Sequence, residues 1–294
     1  MAQRDGRLKT FFIYTKPRIW FLLVFVAAIS SLIAIRIYSL KVDELLIATI
    51  VSVSAGGAGA ESLTNYIDRH MDAVMERTKN RPLIVGAITP KQAITMGAIL
   101  ISLSILIPLM LGRFLSTVFM AAGIFDNVFV YNYLLKKRTP LNIILGGFSG
   151  GFPVLVGWYM ITSINSVIPW FLFSLVVVWI PLHIWSLAYR YREDYKRARV
   201  PMLPVVYSNR VAVACIAGSA IVLVAFSLIP AFFIESGIIY GSIVLILSIP
   251  ILILSFRFSK EKSLNSSFSL FKYSSPYLAF VFITFIITKI FFWS

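Results

Sequence analysis

Apolar residues run along this chain in long blocks separated by short polar stretches. A helix needs about 20 residues to cross the hydrocarbon core of a bilayer. Read at that length, the blocks predict nine spans, at roughly 16–38, 44–64, 90–111, 115–134, 142–162, 167–189, 211–234, 237–256 and 273–293. The pattern therefore predicts an all-α, polytopic membrane bundle forming one membrane-embedded domain over residues 1–294. Two blocks are unusually rich in small residues. Ser52–Gly59 implies close helix contact, or room for a substrate beside the backbone. It lacks the strand–turn–helix setting and following Lys of a nucleotide loop. The fifth block carries Gly146, Gly147, Gly150, Gly151 and Gly157 around Pro153. That proline should kink or unwind the helix and free carbonyls that only a cavity or neighbouring side chains can satisfy.

The polar stretches are unequal. Those at about 65–89 and 190–210 are long and charged, whereas the connections near 111–114 and 235–237 are short. Long charged loops on one face place the working site at that surface. The 27 Lys and Arg residues sharpen the picture: with the N-terminus in the cytoplasm, all but Arg36, Lys41, Arg113 and Lys289 fall on the cytoplasmic side. So strong a positive-inside bias predicts a multi-pass cell-membrane protein with the N-terminus and both long loops cytoplasmic and the C-terminus outside. The net charge of +15 is then topological first and phosphate-attracting second, not a nucleic-acid footprint. A chain of 294 residues that is 59% hydrophobic and 13% charged has too little polar surface for a soluble globule. The first fifteen residues are polar and basic, and the block after them is long enough to remain a span, so no cleavable signal is expected. Cys215 is the one cysteine, which excludes a disulfide framework or thiolate cluster.

Within the first long loop, Asn65, Asp68 and Asp72 stand at i, i+3 and i+7, on one face of a helix. Carboxylates so close repel unless they share a cation, and a divalent ion bridging to a phosphorylated substrate resolves the conflict. The alternative is a solvated interface helix whose acids pair with Arg69 or Arg77. The second loop offers Glu193 and Asp194 beside Arg192, Lys196 and Arg197. Facing clusters could hold a Mg²⁺–diphosphate between them, with arginines and lysines neutralising the remaining charge. His70 should point away from the aspartates. His183 lies deep in the sixth span between Trp179 and Trp185, where an imidazole is costly without a partner or ligand; a hydrogen bond to another helix and a functional role both remain open. Asp126 is a second buried polar group, expected to find a polar partner on its own or another helix. No Ser–His–acid, Cys–His or HExxH arrangement can be made out.

Three blocks carry a likeness to a known family: NYIDRHMDAVMERTKNRPL at 65–83, YNYLLKKRTPLNIILGGFSGGFPVLVGW at 131–158 and PLHIWSLAYRYREDYKRARVPMLPVV at 181–206. The chain resembles the protohaem IX farnesyltransferase (haem O synthase) family, within the wider group of intramembrane aromatic prenyltransferases. The second and third blocks separate that family from quinone and lipid prenyltransferases. Ile184 stands for the usual Phe, and Leu182, Gly151, Phe152 and Val154 also depart from the family pattern. The resemblance implies nine helices around a central cavity, farnesyl diphosphate and haem b as substrates, and Mg²⁺ as cofactor. It implies Asn65, Asp68, Asp72 and Asp194 as metal ligands, the aspartates being catalytic. Arg77, Arg81, Tyr195, Lys196, His183 and Trp185 would contact substrate. Downstream haem A synthase or oxidase-assembly proteins would be partners. A prenyltransferase for a quinone precursor or glycerol-phosphate lipid, and an ion-coupled transporter of an anionic solute, are the alternatives.

Overall fold

The computed structural model describes residues 2–40 and 43–292; Lys41 lies outside them. Among the described residues all regular structure is helical. In chain order the helices are α1 (Ala2–Tyr14), α2 (Pro17–Ile37), α3 (Asp43–Asp72), α4 (Pro90–Met110) and α5 (Phe114–Phe125), the last running on as a π-helix over Asp126–Leu135. Then come α6 (Asn142–Leu145), α7 (Phe152–Ile161), α8 (Val167–Arg190), α9 (Arg192–Arg197), α10 (Leu203–Val206), α11 (Asn209–Ser227), α12 (Gly237–Glu261) and α13 (Leu264–Phe292).

Local chemistry accounts for several boundaries. Pro90 occupies the first turn of α4 behind a reciprocal Thr89–Gln92 capping box. Gly112, at φ 70°, lets the chain leave that helix. Ser166 and Ser208 cap α8 and α11 by accepting the N–H groups of Ile168 and Val211.

Eight helical segments among the described residues are long and apolar enough to span a membrane, one fewer than the sequence pattern predicts. The difference is the fifth block. It breaks into α6, a 3₁₀ turn at Phe148–Gly150, and the ten-residue α7. The glycines before Pro153 allow the break, and Gly157 lets α7 pack closely: a Cβ there would lie 2.1 Å from the Ala27 carbonyl oxygen, against the backbone of α2. From Pro153 to Ile161 every residue is buried, so α7 is a central strut. Pro153 falls in the first turn of α7, where a missing N–H costs nothing, and carbonyls further along that helix take extra hydrogen bonds from neighbouring helices. Ser30 and Ser31 of α2 donate to Val154 O and Gly157 O, each at 2.8 Å, and Ser116 of α5 donates to Val156 O at 3.0 Å.

Around this strut α2 packs on α3, α7 and α13, and α4 covers α3. Helices α8, α11, α12 and α13 complete the ring, with α13 also against α8. The helix α3 runs past the expected span end near 64 to Asp72, because nothing between Asn65 and Asp72 breaks it. Both aspartates thereby stand on the last turns of a long, rigid helix rather than on a loop.

Candidate active site

Thr64, Asp68, Met71 and Asp72 of α3, with Met75 just beyond it, line a cavity of about 720 Å³. Glu61 of the same helix and Lys16, Arg77, Arg81, Lys136, Tyr131 and Tyr195 from other segments join them and make this end polar. Deeper in, the walls turn apolar: Phe119, Met120 and Phe152 on one side, Trp179, Ile180, His183, Ile184 and Phe271 on the other.

Three carboxylates at the polar end, Glu61, Asp68 and Asp72, are each matched by a cation. Arg81 Nη1 lies 2.5 Å from Asp72 Oδ2, and the Thr78 hydroxyl donates to Asp72 O at 2.9 Å, so the loop after α3 folds back over the helix end. Lys136, at the close of the π-helix, pairs with Asp68 Oδ2 and donates to Asn132 Oδ1 at 3.1 Å. Burial works against its charge. The Asp68 carboxylate outweighs that, with Tyr131 and Tyr195 adding to it, and the ammonium is held well above the ordinary lysine range. Lys16, in a left-handed turn at φ 52°, pairs with Glu61 at 2.8 Å, and burial pushes this ammonium down. Asp68 Oδ1 and Asn65 Oδ1 are buried acceptors with no partner.

The second loop meets the first through Asp194. Its carboxylate accepts the backbone N–H of Glu76 at 3.1 Å and of Arg77 at 3.3 Å, and pairs with Arg197. Burial would raise its pKa, but these donors win and hold it below the usual carboxylate value. Arg77 in turn donates to the Tyr195 hydroxyl at 2.9 Å and lies over the Tyr191 and Tyr195 rings.

The structure thus brings Asp68, Asp72, Arg77, Arg81, Tyr195 and His183 to one cavity. The other expected residues stand apart from its lining. Asn65 is buried and donates to Tyr14 O at 2.8 Å, and Thr64, four residues before Asp68, takes the cavity face instead. Asp194 is spent on the loop. Among the described residues no group of three or more His, Cys, Asp or Glu side chains is gathered where it could hold a metal ion. Lys196 is exposed, and Trp185 packs in the core with its indole N–H unpartnered. His70 is exposed, as expected from its angle on the helix. Asp126 finds its polar partner in the Ser149 N–H at 2.7 Å.

Lys136 is a cavity-lining cation that sequence reasoning missed. It belongs to a run of three cations, Lys136–Lys137–Arg138, and no periodicity says which one turns inward. Only the π-helical register does so: the Lys136 side chain is 15% exposed, while Lys137 and Arg138 are exposed.

A membrane bundle whose interior joins paired carboxylates and cations to an aromatic-walled chamber is built for chemistry on a molecule with a charged head and an apolar body. The chain belongs to the UbiA prenyltransferase family, which matches residues 18–286. It is 52% identical over 284 residues to the protoheme IX farnesyltransferase of Thermoplasma volcanium, covering 97% of this chain and 99% of that one. It is also 52% identical over 277 residues to protoheme IX farnesyltransferase 1 of Picrophilus torridus, covering 94% and 93%. Among solved structures it resembles a digeranylgeranylglyceryl phosphate synthase, with a TM-score of 0.76, 19% identity, and 97% and 99% of the two chains covered. A UbiA homologue from Archaeoglobus fulgidus bound to GPP and Mg²⁺ gives a TM-score of 0.72 at 12% identity, covering 94% and 99%. At such identities these two likenesses establish the fold alone.

Proposed function

We propose that this chain transfers the farnesyl group of farnesyl diphosphate to a vinyl group of haem b, with addition of water, giving haem O and diphosphate. The observation that carries this reading is a cavity that joins a carboxylate-and-cation end to an apolar interior. The diphosphate belongs at the first. The farnesyl chain and the porphyrin face belong in the second. Relatives named for this activity match nearly the whole chain.

The residues present fit Mg²⁺. Asp68 offers an unpartnered buried oxygen, Asp72 stands one turn on, and Mg²⁺ is ordinarily held by one or two carboxylates, with substrate phosphates and water completing its octahedron. Bound there, the ion supplies a Lewis acid for the departing diphosphate. Lys136 and Arg81, now paired with the aspartates, are placed to turn onto diphosphate oxygens once those carboxylates have another cation. Arg77, fixed by Tyr195, adds a bidentate donor. Asp194 serves by pinning the loop that carries Arg77, rather than by ligating metal.

The C1–O bond of farnesyl diphosphate breaks with its electron pair going to diphosphate. The vinyl π pair then forms the new C–C bond, and the resulting cation next to the porphyrin takes a water oxygen, releasing a proton that diphosphate can accept. The apolar walls delay water until the C–C bond exists, and ring faces such as Phe119 and Trp179 favour the cationic intermediates. The aspartate end faces the cytoplasm in this reading, supported by the distribution of Lys and Arg.

Mass spectrometry of haem from membranes holding this protein, haem b, farnesyl diphosphate and Mg²⁺ tests the proposal. A haem heavier by one farnesyl and one hydroxyl group, lost when EDTA is added, is expected. Folded, haem-binding protein that makes no such product would refute it.

A further inference from the structure

His183 stands on the cavity wall near the C-terminal end of α8, with Leu187 one turn further on and also lining the cavity. It stands seven positions before the helix end at Arg190, which is about 10 Å of rise. Its ring is fixed on both faces. Trp179 stacks on it with centroids 4.3 Å apart, and Phe271 lies across it at 4.4 Å. Trp179 is itself held, its indole N–H donating to Ser274 O at 2.8 Å.

The hydrogen bonds at the ring's edge determine where its proton sits. Ser274 Oγ lies 2.7 Å from Phe271 O and 2.7 Å from His183 Nδ1. A carbonyl oxygen cannot donate, so the oxygen–oxygen contact is attractive only if the serine hydrogen lies in it. The serine then has only lone pairs to offer the imidazole, and the hydrogen of the second contact must be on Nδ1. Ser275 Oγ, at 3.5 Å, is too distant to compete. A neutral imidazole protonated at Nδ1 carries a lone pair on Nε2. Both side-chain hydrogen-bond contacts of the His183 ring are made at Nδ1, which leaves Nε2 for the cavity that this residue lines.

An imidazole whose Nδ1–H is tied to a hydroxyl, whose plane is clamped between two rings and whose Nε2 is left for the cavity has the features of a metal-ligating histidine. A hydrogen bond made only for packing would explain the Ser274 contact. It would not explain placing the second nitrogen on the wall of a substrate cavity, where a polar atom in an apolar setting is costly. From this geometry we infer that His183 Nε2 is an axial ligand to the iron of the haem substrate, with Ser274 and Phe271 setting its tautomer and Trp179 its plane. The inference rests on haem being the acceptor. It adds that iron is what fixes the porphyrin's position, so that one edge of the macrocycle is held toward the diphosphate end.

The test is a haem titration of the full-length protein in detergent, read by Soret absorbance and electron paramagnetic resonance, with farnesyl transfer assayed separately. Wild-type protein should show an imidazole-ligated iron. His183→Ala and His183→Gln, the latter keeping a polar group for Ser274, should lose that signature and bind haem roughly tenfold or more weakly. Added imidazole should restore the spectrum of the alanine variant. Ser274→Ala should keep ligation but shift the iron–histidine stretching frequency seen by resonance Raman, because the Nδ1–H loses its acceptor. If wild-type protein binds haem and both His183 variants give its unchanged spectrum and affinity, ligation is overturned while the haem-acceptor reading stands. Wild-type protein that binds no haem overturns both.

Discussion

The Lys136–Asp68 pair allows the polar end of the cavity to be tested by charge removal. The two side chains are 15% and 6% exposed, so each depends on the other rather than on water. Lys136 has one further acceptor, Asn132 Oδ1, and lies 5.6 Å from the Tyr131 ring centroid. Asp68 has an oxygen that already lacks a partner. Removing one member of such a pair leaves an uncompensated buried charge, which costs about 3–5 kcal/mol, whereas replacing both by neutral groups is often close to neutral. Lys136→Met should therefore destabilise the metal-free protein by about 3 kcal/mol, and Lys136→Met with Asp68→Asn should recover most of that loss. Thermal unfolding in detergent, followed by tryptophan fluorescence, reads both. Mg²⁺ should stabilise the single variant more than wild type, since the ion takes the place the ammonium left, and should do little for the double variant. A double variant no more stable than Lys136→Met would refute the charge-pair reasoning. Equal Mg²⁺ effects on all three proteins would refute the exchange of lysine for metal.

Asp72→Asn should abolish Mg²⁺-dependent turnover yet leave haem binding near the wild-type level, which product mass spectrometry and Soret titration check together. Gly157→Ala should cost roughly 2–4 kcal/mol, because a Cβ 2.1 Å from Ala27 O forces α2 off α7 and breaks the Ser31 and Ser30 hydrogen bonds; an unchanged unfolding midpoint would contradict the close contact. Asp194→Asn should loosen the loop around Glu76 and Arg77, seen as faster proteolysis there and a lower kcat. The Asp194 carboxylate is held below its free value of about 3.9, so its contribution is complete above that pH and is lost as pH falls through the lower, folded value. Loop protection in wild type should accordingly survive mild acid and fail below it, and the asparagine variant should lack this dependence.

The apolar blocks determined most of the architecture. A segment of about 20 apolar residues in lipid has to satisfy its backbone internally, so length and hydropathy alone fix the helical class and nearly every span. They also placed Asp68, Asp72, Arg77, Arg81 and Tyr195 in charged stretches at one surface, because charge there is costly unless used. Local sequence even foretold the unwinding at Pro153. It could not show that the fifth segment would become a short buried strut, since that depends on Ala27, Ser30, Ser31 and Ser116 arriving from other helices.

The division of labour among the polar residues was decided only in three dimensions. Asp194 and Asp68 look alike in sequence, yet one caps two backbone N–H groups while the other faces the cavity. Asn65 and Thr64 are adjacent, and the helix turned the threonine inward and tied the asparagine to Tyr14. Lys136 became the partner of Asp68, 68 residues away, through the register of a π-helix. The proton on His183 is placed by a serine on α13, 91 residues away. The cause is the same in each case. Which lone pair or N–H a polar group meets is set by long-range packing, whereas the hydrophobic pattern that builds the spans is carried within each segment of the chain.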